Sequence, residues 1–214
     1  KVDSIEFVDL YLNVDVSNCS DVEKAFDYLL LHNEQLDVVI NNAALQICKP
    51  VTQLSIQEWD KTMETNLRSV FLFSKYSHPF LKKTSGSIVN ISSVHAVATS
   101  SDISAYAASK GGISAFTRAL AIEYGPDNIR VNAVLPGAVD TPMLRAGLCR
   151  GHVADGSIEE KLQELSNRHI LGKICQPADI ANMIYFLGDN TLSPSTTGQC
   201  YIIDGGATIR LSTE

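Results

Sequence analysis

The sequence predicts an α/β fold in which a parallel sheet is wrapped by helices. Short β-rich runs alternate with longer amphipathic ones along the chain, the order that puts crossover helices between parallel strands. One run, Leu36–Asn41 (LDVVIN), has the apolar character of a short strand buried in such a sheet. In 214 residues there is no repeat, linker or low-complexity segment, so residues 1–214 are expected to form a single domain.

The elements follow in order. Val8–Val16 reads as a strand. Ser20 and Glu23 make a capping box that opens an amphipathic helix running to about His32. After LDVVIN, Ser55 and Glu58 form a second capping box at the head of a long helix from Ile56 to about Lys82. Gly86–Ser92 (GSIVNIS) is a strand, Ser104–Tyr124 a helix, and Ile129–Leu135 a strand stopped by Pro136-Gly137. Ala138–Gly156 is weakly periodic and reads as a loop. Ser157–His169 is amphipathic, Pro177 sits at the first position of a helix reaching Leu187, and Gln199–Ile203 is a final strand. Residues 138–170 are the candidate substrate lid.

Composition excludes several classes. Net charge is −7 with no long basic run, which argues against a nucleic-acid surface or an anionic membrane as partner. No apolar stretch reaches the ~18 residues of a membrane span. The five cysteines are scattered without a C-x-x-C, which suits reduced thiols in a cytoplasmic protein, and the histidines lack metal-ligand spacing. No metal is expected.

The chemistry is concentrated in Tyr106-Ala-Ala-Ser-Lys110. Residues at i and i+4 share a helix face, so a phenol and an ammonium can converge there. A phenol ordinarily titrates near 10, and a neighbouring cation lowers that value, which makes the pair a candidate acid–base device. Four further features fall at or just beyond predicted strand ends, where ligands bind in open α/β sheets. These are Asp15, Asn41-Asn42-Ala43-Ala44, Ser92-Ser93, and Pro136-Gly137 followed by Thr141.

Together with Asn66, the stretches NVDV (13–16), NNAA (41–44), ISS (91–93), YAASK (106–110), NAVLPGAVDTPM (132–143) and IDGG (203–206) resemble the short-chain dehydrogenase/reductase family over essentially the whole chain. The resemblance implies a Rossmann-like, doubly wound sheet and an oxidoreductase that uses NAD or NADP. It makes Tyr106 the general acid/base, and Lys110 the residue that lowers the phenol and holds the nicotinamide ribose. Ser93 becomes a hydrogen-bond donor to the substrate oxygen, with Ser92 the alternative if the register slips by one. Asn66 would interrupt its helix ladder and help hold a water leading to Lys110. Asp15 and Val16 would flank the adenine, and Asn42, Ala43 and Ala44 the adenosine side. Pro136, Gly137, Val139 and Thr141 would surround the nicotinamide.

The family's Gly-rich phosphate loop is missing, since Gly86 is the first of the 13 glycines. The chain therefore looks like part of a longer protein that lacks the first βαβ portion, with LDVVIN left as an apolar edge. Ala44 stands where the family usually has glycine. SIEEKLQEL (157–165), NRHILGKICQPADIA (167–181) and the ending IDGGATIRLSTE (203–214) are most similar to aldose dehydrogenases within the family. The resemblance also places His95 and Gln46 along the substrate pocket, where a polar pair suits a sugar or polyol. Asp140, Arg145 and His152 lie in the lid segment. A 3-oxoacyl thioester reductase is the alternative within the class, and an inactive binding or assembly subunit the alternative outside it. The resemblance further implies a homo-oligomer, dimer or tetramer, built on the two long helices; apolar Val70, Phe71, Phe73, Ile113 and Phe116 suit that role or a core equally.

Overall fold

Residues 10–32, 35–148 and 156–209 are described by a computed structural model. Parallel strands β1 (Val38–Asn41), β2 (Ser87–Ile91), β3 (Arg130–Pro136) and β4 (Cys200–Ile203) lie side by side in that order. Between and around them run α1 (Cys19–Leu31), α2 (Ile56–Met63), α3 (Ser69–Thr84), α4 (Ser104–Tyr124), α5 (Pro142–Leu148), α6 (Ile158–Arg168) and α7 (Pro177–Gly188). Asn41 pairs with Asn90, Ile91 with Val134, and Pro136 with Ile203. The carboxyl ends of neighbouring strands thus finish close together, and the loops leaving them share one edge of the sheet.

Successive side chains of β2 point to opposite faces. Ile88 packs with Leu81, Leu120 and Val131 on the face covered by α3 and α4. Val89 and Ile91 pack with Val134, Ile180 and Leu187 on the face covered by α7. Helices on both faces make the sheet doubly wound, as predicted. This two-sided burial is also why β2 and β3 are apolar with little alternation.

Several expectations are corrected. Residues 10–16 form no strand, because a strand exists through a hydrogen-bonded neighbour and none of the described residues supplies one; Val8 and Asp9 lie outside the described residues. The first helix is capped by Asn18, not Ser20: its side chain accepts from Ser20 N at 2.9 Å and Asp21 N at 3.3 Å. Asparagine caps at least as well as serine and here comes first. The second capping box is present, with Glu58 N donating to Ser55 Oγ at 3.1 Å and Ser55 N to Glu58 Oε2 at 3.0 Å.

The long helix predicted from Ile56 is divided into α2 and α3 by a π-turn over Glu64–Arg68, which contains Asn66. The loop expected after Ala138 contains α5, whose two turns are too short to give a periodicity signal. Among the described residues, β1 has a strand neighbour on one side only and its Ile40 is 51% exposed, as expected of an apolar edge. No helix of the described residues is long and apolar enough to cross a membrane.

Candidate active site

A cavity of about 630 Å³ opens at the carboxyl ends of β1, β2 and β3. Each strand end contributes to its wall: Asn42, Ala44 and Gln46 after β1, Ser92, Ser93 and His95 after β2, Pro136, Gly137, Val139 and Thr141 at and after β3. From the side, the first turns of α4 present Tyr106 and Lys110. Ligand-binding crevices of doubly wound sheets lie at this edge.

Lys110 is the dominant electrostatic fact. It is 2% exposed, and its Nζ donates to the carbonyl of Ile91 at 2.7 Å. Burial drives its pKa down from 10.5 to about 8. The ammonium lies 5.4 Å from the centre of the Tyr106 ring, so the i and i+4 heads do converge.

The implied lowering of the phenol by Lys110 is not what the structure displays. Burial pushes Tyr106 above its ordinary value; the hydrogen bond from Ser93 pulls it back, and the nearby Cys48 thiol adds a small upward push. The Lys110 ammonium is hydrogen-bonded to a backbone carbonyl, Ile91 O, and not to the phenol. The His95 ring meets Tyr106 edge-on, with centroids 5.8 Å apart and planes at 82°, and its Nδ1 lies 3.0 Å from Thr99 Oγ1.

The two adjacent serines differ in where their hydroxyls point. Ser92 Oγ donates to the carbonyl of Lys110 at 2.8 Å and lies 3.1 Å from Ser114 Oγ, so it is held against α4. Ser93 Oγ accepts from His95 N at 3.2 Å, and its hydroxyl is the one that draws the Tyr106 phenol downward.

Asn66 is fully buried behind the cavity rather than in its wall. Its side chain accepts from Leu45 N at 2.7 Å and donates to Leu45 O at 2.9 Å and to Ser109 Oγ at 3.0 Å. It therefore clamps the backbone between two lining residues, Ala44 and Gln46.

Gly137 is required by packing. A Cβ there would lie 2.6 Å from Cβ and 2.9 Å from Cα of Asp204, whose carboxylate ties down the turn after β4 through Gly206 N, Thr208 N and Thr208 Oγ1. Thr141 Oγ1 donates to Val139 O at 3.2 Å and accepts from Leu144 N at 3.3 Å, which starts α5 over the cavity mouth.

Not every expected residue reaches the cavity. Asp15 and Val16 are not in its wall; Asp15 closes a turn by accepting from Ser17 N at 2.9 Å and Ser17 Oγ at 2.7 Å, which holds its carboxyl below the usual range. Ala43 lies between two lining residues without lining the cavity itself. Asp140 and Arg145 pair with each other, Nε to Oδ1 at 2.7 Å, and His152 lies outside the described residues.

Sequence reasoning missed the apolar wall formed by Pro142, Met143 and Leu144 of α5 and Ile180, Ala181 and Ile184 of α7. The i, i+4 spacing of Ile180 and Ile184 was the available signal, but a core stripe reads identically. Among the described residues no cluster of His, Cys, Asp or Glu could hold a metal ion.

A doubly wound parallel sheet with a phenol, a hydroxyl and a buried lysine gathered at its carboxyl edge defines a class of α/β enzymes. Comparison with known proteins narrows the class. The family model for enoyl-(acyl carrier protein) reductase matches residues 2–208. Cyclopentanol dehydrogenase of a Comamonas species is 35% identical over 199 residues, which cover 92% of this chain and 76% of that protein. The structure of an aldohexose dehydrogenase from Thermoplasma acidophilum superposes with a TM-score of 0.88 at 31% identity, covering 94% of this chain and 79% of that one. A variant of the actinorhodin polyketide ketoreductase with NADPH gives 0.84 at 29% identity, covering 91% and 76%. The chain belongs to the short-chain dehydrogenase/reductase family of oxidoreductases.

Proposed function

We propose that this oxidoreductase interconverts a secondary alcohol and its carbonyl at the Tyr106 cavity, with NAD or NADP as hydride carrier, and that its alcohol is a sugar or polyol. The observation that carries the reading is the meeting of Tyr106, Ser93 and Lys110 in one wall at the strand ends.

The residues present suit the nicotinamide half of a dinucleotide. The wall combines a flat backbone run at Pro136-Gly137, a hydroxyl at Thr141, and the buried cation of Lys110. When bound, the nicotinamide supplies the hydride chemistry, and the protein supplies orientation and a proton path. Tyr106 gives its phenolic proton to the carbonyl oxygen in reduction and takes it back in oxidation. Ser93 donates to the same oxygen and holds it beside the phenol. Lys110, with a pKa near 8, holds a charge that shifts with modest changes in its surroundings, beside the phenol that must gain and lose a proton. Asn66 acts behind the wall, keeping the Leu45 backbone in place.

Gln46 and His95 in the wall support the sugar reading, as does the likeness to an aldohexose dehydrogenase. The likeness to a 3-oxoacyl-(acyl-carrier-protein) reductase of Chlamydia muridarum, 36% identical over 194 residues, favours a second reading, reduction of a 3-oxoacyl thioester. Residues 138–170 are proposed as the substrate lid. We also place the protein in the cytoplasm as a homo-oligomer; the free thiols at Cys19, Cys175 and Cys200 support the compartment. The half-exposed apolar groove of Leu67, Phe71 and Phe116 supports the assembly.

A panel of aldoses, cyclic secondary alcohols and a 3-oxoacyl thioester, each with NAD(H) and NADP(H) and followed by nicotinamide absorbance, tests these readings. Turnover of at least one aldose is expected. Turnover of cyclic alcohols or the thioester with no aldose would end the sugar assignment, and no turnover of any kind would end the oxidoreductase reading at this cavity. Tyr106→Phe should lower kcat by roughly two to four orders of magnitude without unfolding the chain.

A further inference from the structure

We propose that Ser92 and Ser109 are positioning residues that fix the rotation and axial register of α4, and so the aim of Tyr106 and Lys110 into the cavity. The proposal rests on the reading of Tyr106 as the proton-transferring group.

Both hydroxyls are withdrawn from solvent, Ser109 at 0% and Ser92 at 2% exposure. A hydroxyl so placed must find partners within the protein. Ser109 Oγ donates to the carbonyl of Tyr106 at 2.7 Å and Ser92 Oγ to the carbonyl of Lys110 at 2.8 Å. The two anchored carbonyls thus belong to the residues whose side chains form the site.

The anchors connect to different parts of the fold. Ser109 Oγ accepts from Asn66 Nδ2 at 3.0 Å, which joins α4 to the π-turn between α2 and α3 and, through Asn66, to the Leu45 loop. Ser92 stands just past β2, and Ser114 Oγ, one turn further along α4, lies 3.1 Å from its oxygen. The helix is therefore gripped by the sheet through one serine and by the neighbouring helix through the other.

Such a grip is needed at this level of the helix. Gly111 and Gly112 follow Lys110 directly, and each glycine weakens a helix interior by about 1 kcal/mol relative to alanine. A Cβ on Gly112 would lie 2.9 Å from Leu67 Cδ2, so the small residue lets α4 come close to the π-turn and keeps the Ser109–Asn66 bond short. A tyrosine hydroxyl stands far from the helix axis, and a roll of roughly ten degrees moves it by about 1 Å. Misplacement on that scale costs on the order of 100-fold in rate.

The test compares Ser92→Ala, Ser109→Ala and the double variant with Thr117→Ala. Thr117 is a buried residue of the same helix whose hydroxyl accepts from Asn90 Nδ2 at 3.0 Å, away from the cavity. Kinetics use whichever alcohol the panel above identifies. Titration of the Tyr106 ring in ¹³C-tyrosine-labelled protein, assigned with Tyr106→Phe, supplies a readout independent of turnover.

Each serine variant should lose about tenfold in kcat and the double variant about 100-fold, with KM within about twofold of wild type. The Tyr106 titration should move to higher pH as the phenol leaves Ser93. Thr117→Ala should lower Tm and leave both kcat and the titration in place. Serine variants that lose Tm but keep kcat and the Tyr106 titration would overturn the proposal.

If no alcohol turns over with wild type, the oxidoreductase reading has failed separately, and an unmoved Tyr106 titration still overturns the positioning role. Should an alanine variant not fold, Ser92→Cys and Ser109→Cys keep the shape with a weaker donor. Reduced kcat or a shifted titration in these supports the proposal; wild-type values overturn it.

Discussion

At the scale of single residues, the site is governed by how two ionisable groups tolerate burial. An ammonium taken out of water loses its hydration, so Lys110 is pushed down to about 8 and keeps one carbonyl, Ile91 O, as a substitute for solvent. A phenol taken out of water resists ionising, so Tyr106 moves up. The two shifts are opposite in sign, so burial makes the lysine the readier proton donor of the two and keeps the phenol protonated.

Burial of Lys110 also has a stability consequence with a definite sign. Its folded pKa is below its unfolded one, so between about pH 8 and 10.5 the unfolded chain binds more protons and stability rises with pH. The cost of the buried charge is thus fully present below about pH 8. Lys110→Met removes it, so the Tm difference between variant and wild type should move in favour of wild type as pH climbs through that window. A difference constant with pH, measured by thermal melts, would contradict this account.

At the scale of elements, the chain uses local devices to aim its site. The π-turn at Glu64–Arg68 buries Asn66, which then reaches the backbone of Leu45. An uninterrupted α-helix would present that residue at a different angle. Helix α1 depends on Asn18 for its start, and this can be separated from the sequence-level expectation. Asn18→Ala should cost about 1 kcal/mol in chemical denaturation, whereas Ser20→Ala, one position inside the helix, should cost under about 0.5 kcal/mol. The reverse order would restore Ser20 as the cap.

The capping box at Ser55 was legible because both partners are local in sequence. The absence of a strand at 10–16 was not legible, because strand formation depends on a neighbour elsewhere. Helix α5 escaped notice for a different reason: seven residues do not complete enough turns to distinguish a helix from an irregular loop.

At the scale of the whole molecule, the cavity is assembled from strand ends, α4, α5 and α7, and its wall is only as firm as the contacts behind it. Gly137 links the wall to the turn after β4 through its close approach to Asp204. Adding a methyl there must displace Asp204 backbone, so Gly137→Ala should lower Tm by several degrees. It should also weaken NAD(H) or NADP(H) binding measured by nicotinamide fluorescence. Unchanged melting and unchanged binding would show that the turn yields freely. Ser114→Ala would make a poor control for this experiment, because Ser114 belongs to α4 and lies 3.1 Å from Ser92 Oγ, whereas Thr191, exposed beside Asp189, lies away from the cavity.

The sequence by itself determined the alternation of strand and helix, the family, and the residue types gathered at the candidate site. Each of these is written in local spacing: an offset of four from Tyr106 to Lys110, apolar runs at strands, proline and glycine where β3 ends. Only the tertiary structure decided that Ser92 is tied to the Lys110 carbonyl, which carbonyl the Lys110 ammonium meets, and that Asn66 lies behind the wall. It also decided that Asp15 and Val16 stay outside the cavity and that α5 and α7 close it with apolar side chains. The reason is physical. Spacing along a helix or strand constrains which face a residue occupies, but hydrogen-bond partners and burial depend on segments far apart in sequence. Ser92 and Ser93 differ by one position and point to opposite partners, a distinction that appears only once β2 and α4 are packed together.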